Sequence, residues 1–191
     1  MKHILAIISI LFISVGFAQN QSIKQYTLAE LKTAHVDSVF AIDLQKMKLQ
    51  QLPPIVFKFK NVTSLNVGKN KLKNLNGIEQ LEHLTYLNAE KNILEYFPNE
   101  ICQLKQLETL ILNRNIYIDA VPACIENCQQ LKTLDLWYTA VDHLPIEMTT
   151  IKTLKLIDFS GVQINQEGQN KLKKMFPNTK LVLSAPCNCM N

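Results

Sequence analysis

The sequence predicts an α/β solenoid, and three observations carry that prediction. An apolar pattern returns six times, starting at Val39, Val62, Leu84, Leu107, Leu131 and Leu154, in steps of 23, 22, 23, 24 and 23 residues. Within each copy the apolar residues first alternate, as a strand requires. A proline then recurs at one place in the repeat, in Leu52-Pro53, Phe97-Pro98, Val121-Pro122 and Leu144-Pro145. A single repeat of this length cannot bury its apolar face, so the copies stack and each touches only its neighbours.

The strand opens each repeat. The clearest copy reads Leu84-x-x-Leu87-x-Ala89-x-x-Asn92-x-Leu94. Before it stands Val62-x-x-Leu65-x-Val67-x-x-Asn70-x-Leu72, and after it Leu107-x-x-Leu110-x-Leu112-x-x-Asn115. Position 4 reads Ile42, Leu65, Leu87, Leu110, Leu134 and Ile157; position 6 reads Leu44, Val67, Ala89, Leu112, Leu136 and Phe159. These two columns share one side of a strand and face the core. Position 9 reads Met47, Asn70, Asn92, Asn115, Thr139 and Val162. An Asn there reaches backbone groups that the turns would otherwise bury unpaired. Met47 and Val162 carry no such group, so the ladder fades toward both ends. Positions 2, 3, 5, 7 and 8 point out from the sheet.

The returning arm carries two more apolar columns. Allowing one residue of slack in the second and fourth copies, position 18 is Val56, Ile78, Ile101, Ile125 and Met148, and position 21 is Phe59, Leu81, Leu104, Cys128 and Ile151. Proline fixes φ and cannot extend a central ladder, which suits the corner before this arm. The arm itself reads as short helical or 3₁₀ turns on the outer side. The ends of such a stack need covers. Thr27-x-x-Glu30 reads as a capping box opening a helix through about Ala34, with Leu28 and Leu31 inward. At the other end Glu167 to Phe176 reads as a helix stopped by Pro177. Lys180 to Leu183 follows as a last strand, and the tail from Ala185 folds over that edge. The division is then residues 19–38 as N-terminal cap, 39–176 as the six copies, and 177–191 as final strand and Cys-containing tail.

Residues 1–18 stand apart. Lys2 and His3 precede an apolar run from Ile4 to Val15, and Gly16-Phe17-Ala18 puts small residues at cleavage offsets. This is the pattern of a secretory signal peptide cleaved after Ala18, too short for a membrane span. The expectation is a secreted, periplasmic or cell-surface protein with no span after signal removal. Lys and Arg number 20 against 16 Asp and Glu, a formal charge of +4, or +3 without Lys2. So mild a surplus selects no partner class. The five cysteines are Cys102, Cys124, Cys128, Cys187 and Cys189, an odd number in a compartment that permits disulfides. Their spacing does not suit zinc. Cys128 falls in a core column and reads as a small hydrophobe. Cys102 and Cys124 lie on neighbouring repeats at a distance that permits approach, while Cys187 and Cys189 either bridge within the tail or trap an edge. The pairing stays open.

The phrase Leu-x-x-Leu-x-Leu-x-x-Asn-x-Leu-x-x-Leu-Pro, spread over Val39 to Leu183, resembles the leucine-rich repeat family, in its exported bacterial type of ~23-residue repeats with Leu-Pro. The stretch Tyr26-Thr27-Leu28-Ala29-Glu30-Leu31 also looks like the opening segment of secreted bacterial members. The resemblance implies a curved solenoid with a concave parallel β-sheet and short helical or 3₁₀ turns on its convex side. It further implies a binding role without catalysis, and names no ligand.

Position 8 reads Lys46, Lys69, Lys91, Arg114, Tyr138 and Gly161, so four cations follow one another at successive rungs. This basic stripe is either a solvated edge that guards against sheet-to-sheet pairing or an attractor for an acidic peptide or glycan. Asp43, Asp135, Asp158 and Glu90 partly neutralise it, which speaks against nucleic acid. A second feature is aromatic. Trp137 and Tyr138 occupy positions 7 and 8 of the fifth copy, with Ile111 and Arg114 on the rung before. Trp, Tyr and Arg dominate binding energy at interfaces. A concave patch of Ile111, Arg114, Trp137 and Tyr138, rimmed by Tyr86 and Lys91, is therefore the candidate partner-binding site; the competing reading makes Trp137 a structural lid. Catalysis finds no support: His35, His83 and His143 lie in turns without a poised nucleophile, and Asp135 with Asp158 has no enclosed pocket. No cofactor or metal is expected. The leading function is an exported module binding a protein or peptide across its concave side. A carbohydrate-binding surface protein and a structural subunit of a cell-envelope assembly are the alternatives.

Overall fold

Eight parallel strands stack in chain order, as a repeat that touches only its neighbours requires. They are β1 (Gln25–Tyr26), β2 (Ala41–Asp43), β3 (Ser64–Asn66), β4 (Tyr86–Asn88), β5 (Thr109–Ile111), β6 (Thr133–Asp135), β7 (Leu156–Phe159) and β8 (Lys180–Leu183). The structure is a computed structural model and describes residues 23–187. The proposed signal segment and Cys189 lie outside those residues.

Register holds the position-4 column in line: Ile42 pairs with Leu65, then Leu87, Leu110, Leu134 and Ile157. Each of these side chains is buried, as are those of positions 6, 18 and 21. The core is one continuous cluster from Leu31 to Phe176. The returning arms are 3₁₀ turns at Pro54–Lys58, Ile78–Gln80, Asn99–Gln103, Ala123–Asn127 and Ile146–Thr150. Pro53, Pro98, Pro122 and Pro145 stand in extended conformation just before four of them. The second copy lacks that proline and uses Gly77 at φ 89° instead. The positive φ demands glycine here, and a Cβ would also push the tip of the Phe57 ring, 2.7 Å away, aside.

The Asn ladder forms as expected. Asn92 Nδ2 donates to Val67 O (3.1 Å) and Ala89 O (3.0 Å), while its Oδ1 accepts from Leu72 N–H (3.0 Å). Asn70 and Asn115 repeat the arrangement one turn away on either side. Thr139 manages only a bond from its hydroxyl to Leu136 O.

Both covers are present. In the first, Thr27 N–H donates to Glu30 Oε2 at 2.9 Å, and these bonds hold the Glu30 carboxyl at about 2. The helix it opens, α1 (Leu28–Leu31), is one turn long and stops short of Ala34. His35 turns extended, and its Nδ1 accepts from Asp37 N–H, starting a separate 3₁₀ turn at Val36–Ser38. A local side-chain bond thus competes with further helix. In the second, α2 (Gln166–Met175) begins at Asn165, whose side chain accepts from Gly168 N–H, and buries Leu172. Beyond β8, Cys187 N–H donates to Ile164 O at 3.2 Å, drawing the tail back over the edge. Cys102 and Cys124 form a disulfide between adjacent convex turns, and Cys187 is also disulfide-bonded. Cys128 is a buried thiol, its ionisation pushed up to about 12 by burial.

Candidate functional site

The strands span positions 3 to 5 of the first five copies and 3 to 6 of the sixth, so the residues beyond them build the rim of the sheet. Position 5 carries a carboxylate or amide in five of the six copies, and each accepts the backbone N–H two residues on. The bonds are Asp43 to Gln45 (2.9 Å), Asn66 to Gly68 (3.1 Å), Asn88 to Glu90 (2.9 Å), Asp135 to Trp137 (2.9 Å) and Asp158 to Ser160 (2.7 Å). These are Asx turns that bend the chain off the sheet. Asp135 and Asp158 are therefore turn formers, not a catalytic pair. Asp158 also takes a short bond from the Ser160 hydroxyl.

Position 8 then enters the left-handed region throughout: Lys46 at φ 62°, Lys69 at 58°, Lys91 at 51°, Arg114 at 58°, Tyr138 at 56° and Gly161 at 79°. This corrects the expectation that position 8 faces out from the sheet; it forms the turn just beyond it. Its N–H groups bond the next turn, as in Lys69 to Glu90 O and Arg114 to Trp137 O, both 2.8 Å. Nor does the basic stripe guard an unpaired strand, because the open edges of the sheet are β1 and β8. The stripe runs across the strand ends instead.

The fourth copy breaks the rule at position 5. There Ile111 stands between Asn88 and Asp135, and it cannot accept the N–H of Asn113. Asn113 is buried, its Nδ2 donates to Asp135 Oδ2 at 2.6 Å, and its Oδ1 has no partner among the described residues. The bond to Asp135 Oδ2 holds the amide in that orientation. Next to this spot the Arg114 guanidinium lies 4.6 Å over the Trp137 ring, and the Trp137 and Tyr138 rings sit 6.3 Å apart. Tyr138 is exposed, whereas Trp137 is half-buried, against the expectation of an open strand position. The cause is the neighbouring turn: a Cβ on Gly161 would meet Trp137 Nε1 at 3.2 Å, so the indole lies against that glycine.

Ile111, Arg114, Trp137 and Tyr138 are thus gathered on two adjacent turns. Lys91 is exposed on the turn before, its N–H bonded to Asn113 O. Tyr86 is half-buried at the start of β4, paired with Thr109, and makes no ring contact with Trp137 among the described residues. Burial pushes its phenol up. Lys46 and Lys69 lie farther along the same rim, Lys69 bound to Glu90 at 3.0 Å.

Sequence reasoning missed Asn113 and a further group, Ile116 and Tyr117. The 24-residue step was the available signal. Ile118, one residue late, takes the buried place of Leu72 and Leu94, and its N–H bonds Asn115 O at 3.1 Å. The extra residue is Tyr117, thrown outward at 58% exposed, beside Ile116 (53%), which takes the outward place that Lys71 and Ile93 hold in the copies before. Among the described residues no group of three or more His, Cys, Asp and Glu is placed to hold a metal, and no helix is long and apolar enough to cross a membrane.

No protein-family model matches the chain. Among curated proteins it is similar to the human volume-regulated anion channel subunit LRRC8A, 29% identical over 116 residues, covering 59% of this chain and 14% of that protein. It is also similar to the adenylate cyclase of Schizosaccharomyces pombe, 31% identical over 124 residues, covering 62% of this chain and 7% of that one. The chain therefore spans only a small part of these relatives. Two solved structures share its form. One is the leucine-rich repeat ectodomain of the plant receptor kinase GASSHO1/SCHENGEN3 from Arabidopsis thaliana, with TM-score 0.60 and 21% identity over 77% of this chain and 18% of that chain. The other is the functional domain of InlJ from Listeria monocytogenes, which includes a cysteine ladder, with TM-score 0.57 and 20% identity over 78% of this chain and 34% of that chain. The fold is accordingly a leucine-rich repeat solenoid, a parallel sheet backed by short 3₁₀ turns on the convex side.

Proposed function

We propose that this chain is an exported, non-catalytic binding module that takes a protein or peptide ligand across its concave side. The contact centres on Ile111, Arg114, Trp137 and Tyr138, with Tyr86 and Lys91 at its rim. The observation that carries this reading is the fourth copy. It forgoes the Asx turn that the other five copies make, leaves Asn113 Oδ1 buried without a partner among the described residues, and places an apolar side chain beside Arg114 and Trp137. A buried polar group without a partner costs about 1–3 kcal/mol, and such costs persist where a surface is kept for another purpose. Export is the role that the N-terminal apolar segment and the disulfides support. The ~23-residue Leu-Pro type belongs to the same reading. A sugar ligand fits less well, because Asp135 and Asp158 already accept backbone bonds.

Trp137→Ala decides between ligand platform and lid. Affinity chromatography of envelope extract on the wild type and on the variant should lose its specific band with the variant, a fall of at least about tenfold. The melting temperature should move by no more than a few degrees. An unchanged band together with a large drop in melting temperature would make Trp137 structural and withdraw the patch.

A further inference from the structure

A second surface lies beside the concave patch, along the ledge formed by the chain as it leaves each strand end. Backbone bonds stack the turns of this ledge: Lys71 N–H to Leu49 O (2.8 Å), Ile93 N–H to Leu72 O (3.1 Å) and Glu95 N–H to Lys73 O (3.1 Å). Its first turns are cationic. Lys46, Lys48, Lys71 and Lys91 are exposed and make no ion pair among the described residues. Three of them hold positive φ, at 62°, 58° and 51°. A long side chain in that conformation costs about 1–2 kcal/mol relative to an ordinary one, and glycine would avoid the cost. The chain keeps lysine there all the same.

The later turns of the ledge are apolar. Ile93, Tyr96, Ile116 and Tyr117 are 40%, 50%, 53% and 58% exposed. Ile93 and Tyr117, with Lys73 and Glu95, line a cleft of about 410 Å³. Four large exposed apolar groups at neighbouring turns are more than the scattered singles of an ordinary surface. Ile93 and Ile116 share the outward place after the ladder Asn, and the one-residue insertion of the fourth copy adds Tyr117 beside them.

We propose that this ledge binds an extended acidic peptide segment with an apolar anchor. The anchor, a large apolar or aromatic side chain, enters the cleft between Ile93 and Tyr117. The carboxylates lie over Lys71 and Lys48. Turns are spaced roughly 4.8 Å apart and an extended peptide rises roughly 3.3 Å per residue, so a carboxylate about two residues from the anchor matches Lys71 and one about four residues away matches Lys48. An anionic membrane fits worse. Glu95, Asp119 and the Lys73–Glu95 ion pair (3.0 Å) lie in the apolar half, where a bilayer would have to bury them.

The test uses the full chain and a fluorescein-labelled dodecapeptide of a Leu-Phe pair followed, after a one-residue spacer, by four glutamates. Two control peptides carry Lys for Glu and Ser for Leu-Phe. Fluorescence anisotropy should show saturable binding of the first peptide alone, weakened at least about fivefold on raising salt from about 0.05 to about 0.5 M. Tyr117→Ser and the pair Lys48→Gln, Lys71→Gln should each weaken it by at least about fivefold, since both lie on the exposed ledge. Trp137→Ala should leave it unchanged, which separates this surface from the concave patch. Equal binding of the control peptides, indifference to the ledge variants, or loss with Trp137→Ala would each overturn the proposal. So would sedimentation of the chain with phosphatidylserine vesicles that the ledge variants abolish, which would assign the surface to lipid.

Discussion

A single amide does more for this molecule than any one leucine, because it serves two adjacent turns of chain at once. Asn92 satisfies a carbonyl of the preceding turn, a carbonyl of its own and the N–H of Leu72, all buried. Removing it leaves those groups without water or partner, at about 1–3 kcal/mol for each group left unmade. Asn92→Ala should therefore lower unfolding free energy by about 3 kcal/mol, against about 1 kcal/mol for Thr139→Ala, which loses one bond. Urea denaturation of the two variants checks this, and equal losses would refute the ladder as a stabilising device. Thr139 differs for a reason one turn away. Because of the insertion, Ile118 N–H already bonds Asn115 O, so an Asn at 139 would find no waiting donor in that place. The same insertion ends the ladder and exposes Tyr117. One residue too many thus changes both the interior and the surface of the fourth copy.

At the scale of elements, the convex side is held by short 3₁₀ turns with few bonds of their own, and the Cys102–Cys124 disulfide ties two of them across 22 residues of chain. Closing a loop of that length restricts the unfolded chain by about 3 kcal/mol. Reduction, or Cys102→Ser with Cys124→Ser, should lower the thermal midpoint by several degrees without changing the circular dichroism of the folded state. Cys128 should stay inert to thiol reagents until unfolding, because its thiol is buried and its ionisation is pushed up to about 12. A fast-reacting thiol in the oxidised native protein would contradict that. The elements legible in the sequence are those whose pattern repeats or runs long. The position-4 and position-6 columns, the arms after each proline, α2 and β8 are of this kind. β1 has two residues, too few for alternation to register. The turn at Gly77 replaces a proline, so the repeat's own punctuation concealed it. The left-handed column was hidden because Lys, Arg and Tyr do not announce positive φ as Gly or Asn does. The candidate site divides in the same way. Its aromatic and cationic members stand out by residue type, whereas Asn113 and the turn-forming Asp135 acquire meaning only from bonds between copies.

For the whole molecule, a stack whose parts contact only their neighbours need not be equally firm along its length. The interior copies carry the Asn ladder and a complete apolar layer on both sides. The outer copies carry Met47, which is 41% exposed, and Val162, whose side chain has no polar atom to bond. Their covers are also unequal: α1 is a single turn, whereas α2 has ten residues and buries Leu172 and Gln169. Local opening should therefore begin at the N-terminal cover and spread inward, with the third copy the last to lose protection. Native-state hydrogen exchange reads this directly. Amides at Leu87 and Leu110, with their turn donors Leu72 and Leu94, should exchange at the rate of global unfolding, while those of β1 and α1 exchange through smaller openings. Low denaturant should shift only the central set. Acid gives the same contrast by another route. The Glu30 carboxyl sits at about 2, below its ordinary 4.5, so the bond to Thr27 N–H is present above that ordinary value and is lost as pH falls through the lower one. Protection at Leu31 and Ala34 should fall across that interval while protection at Leu87 holds. Uniform exchange along the chain, or a centre that opens first, would mean that the turns do not stand on their neighbours and that the ladder is incidental.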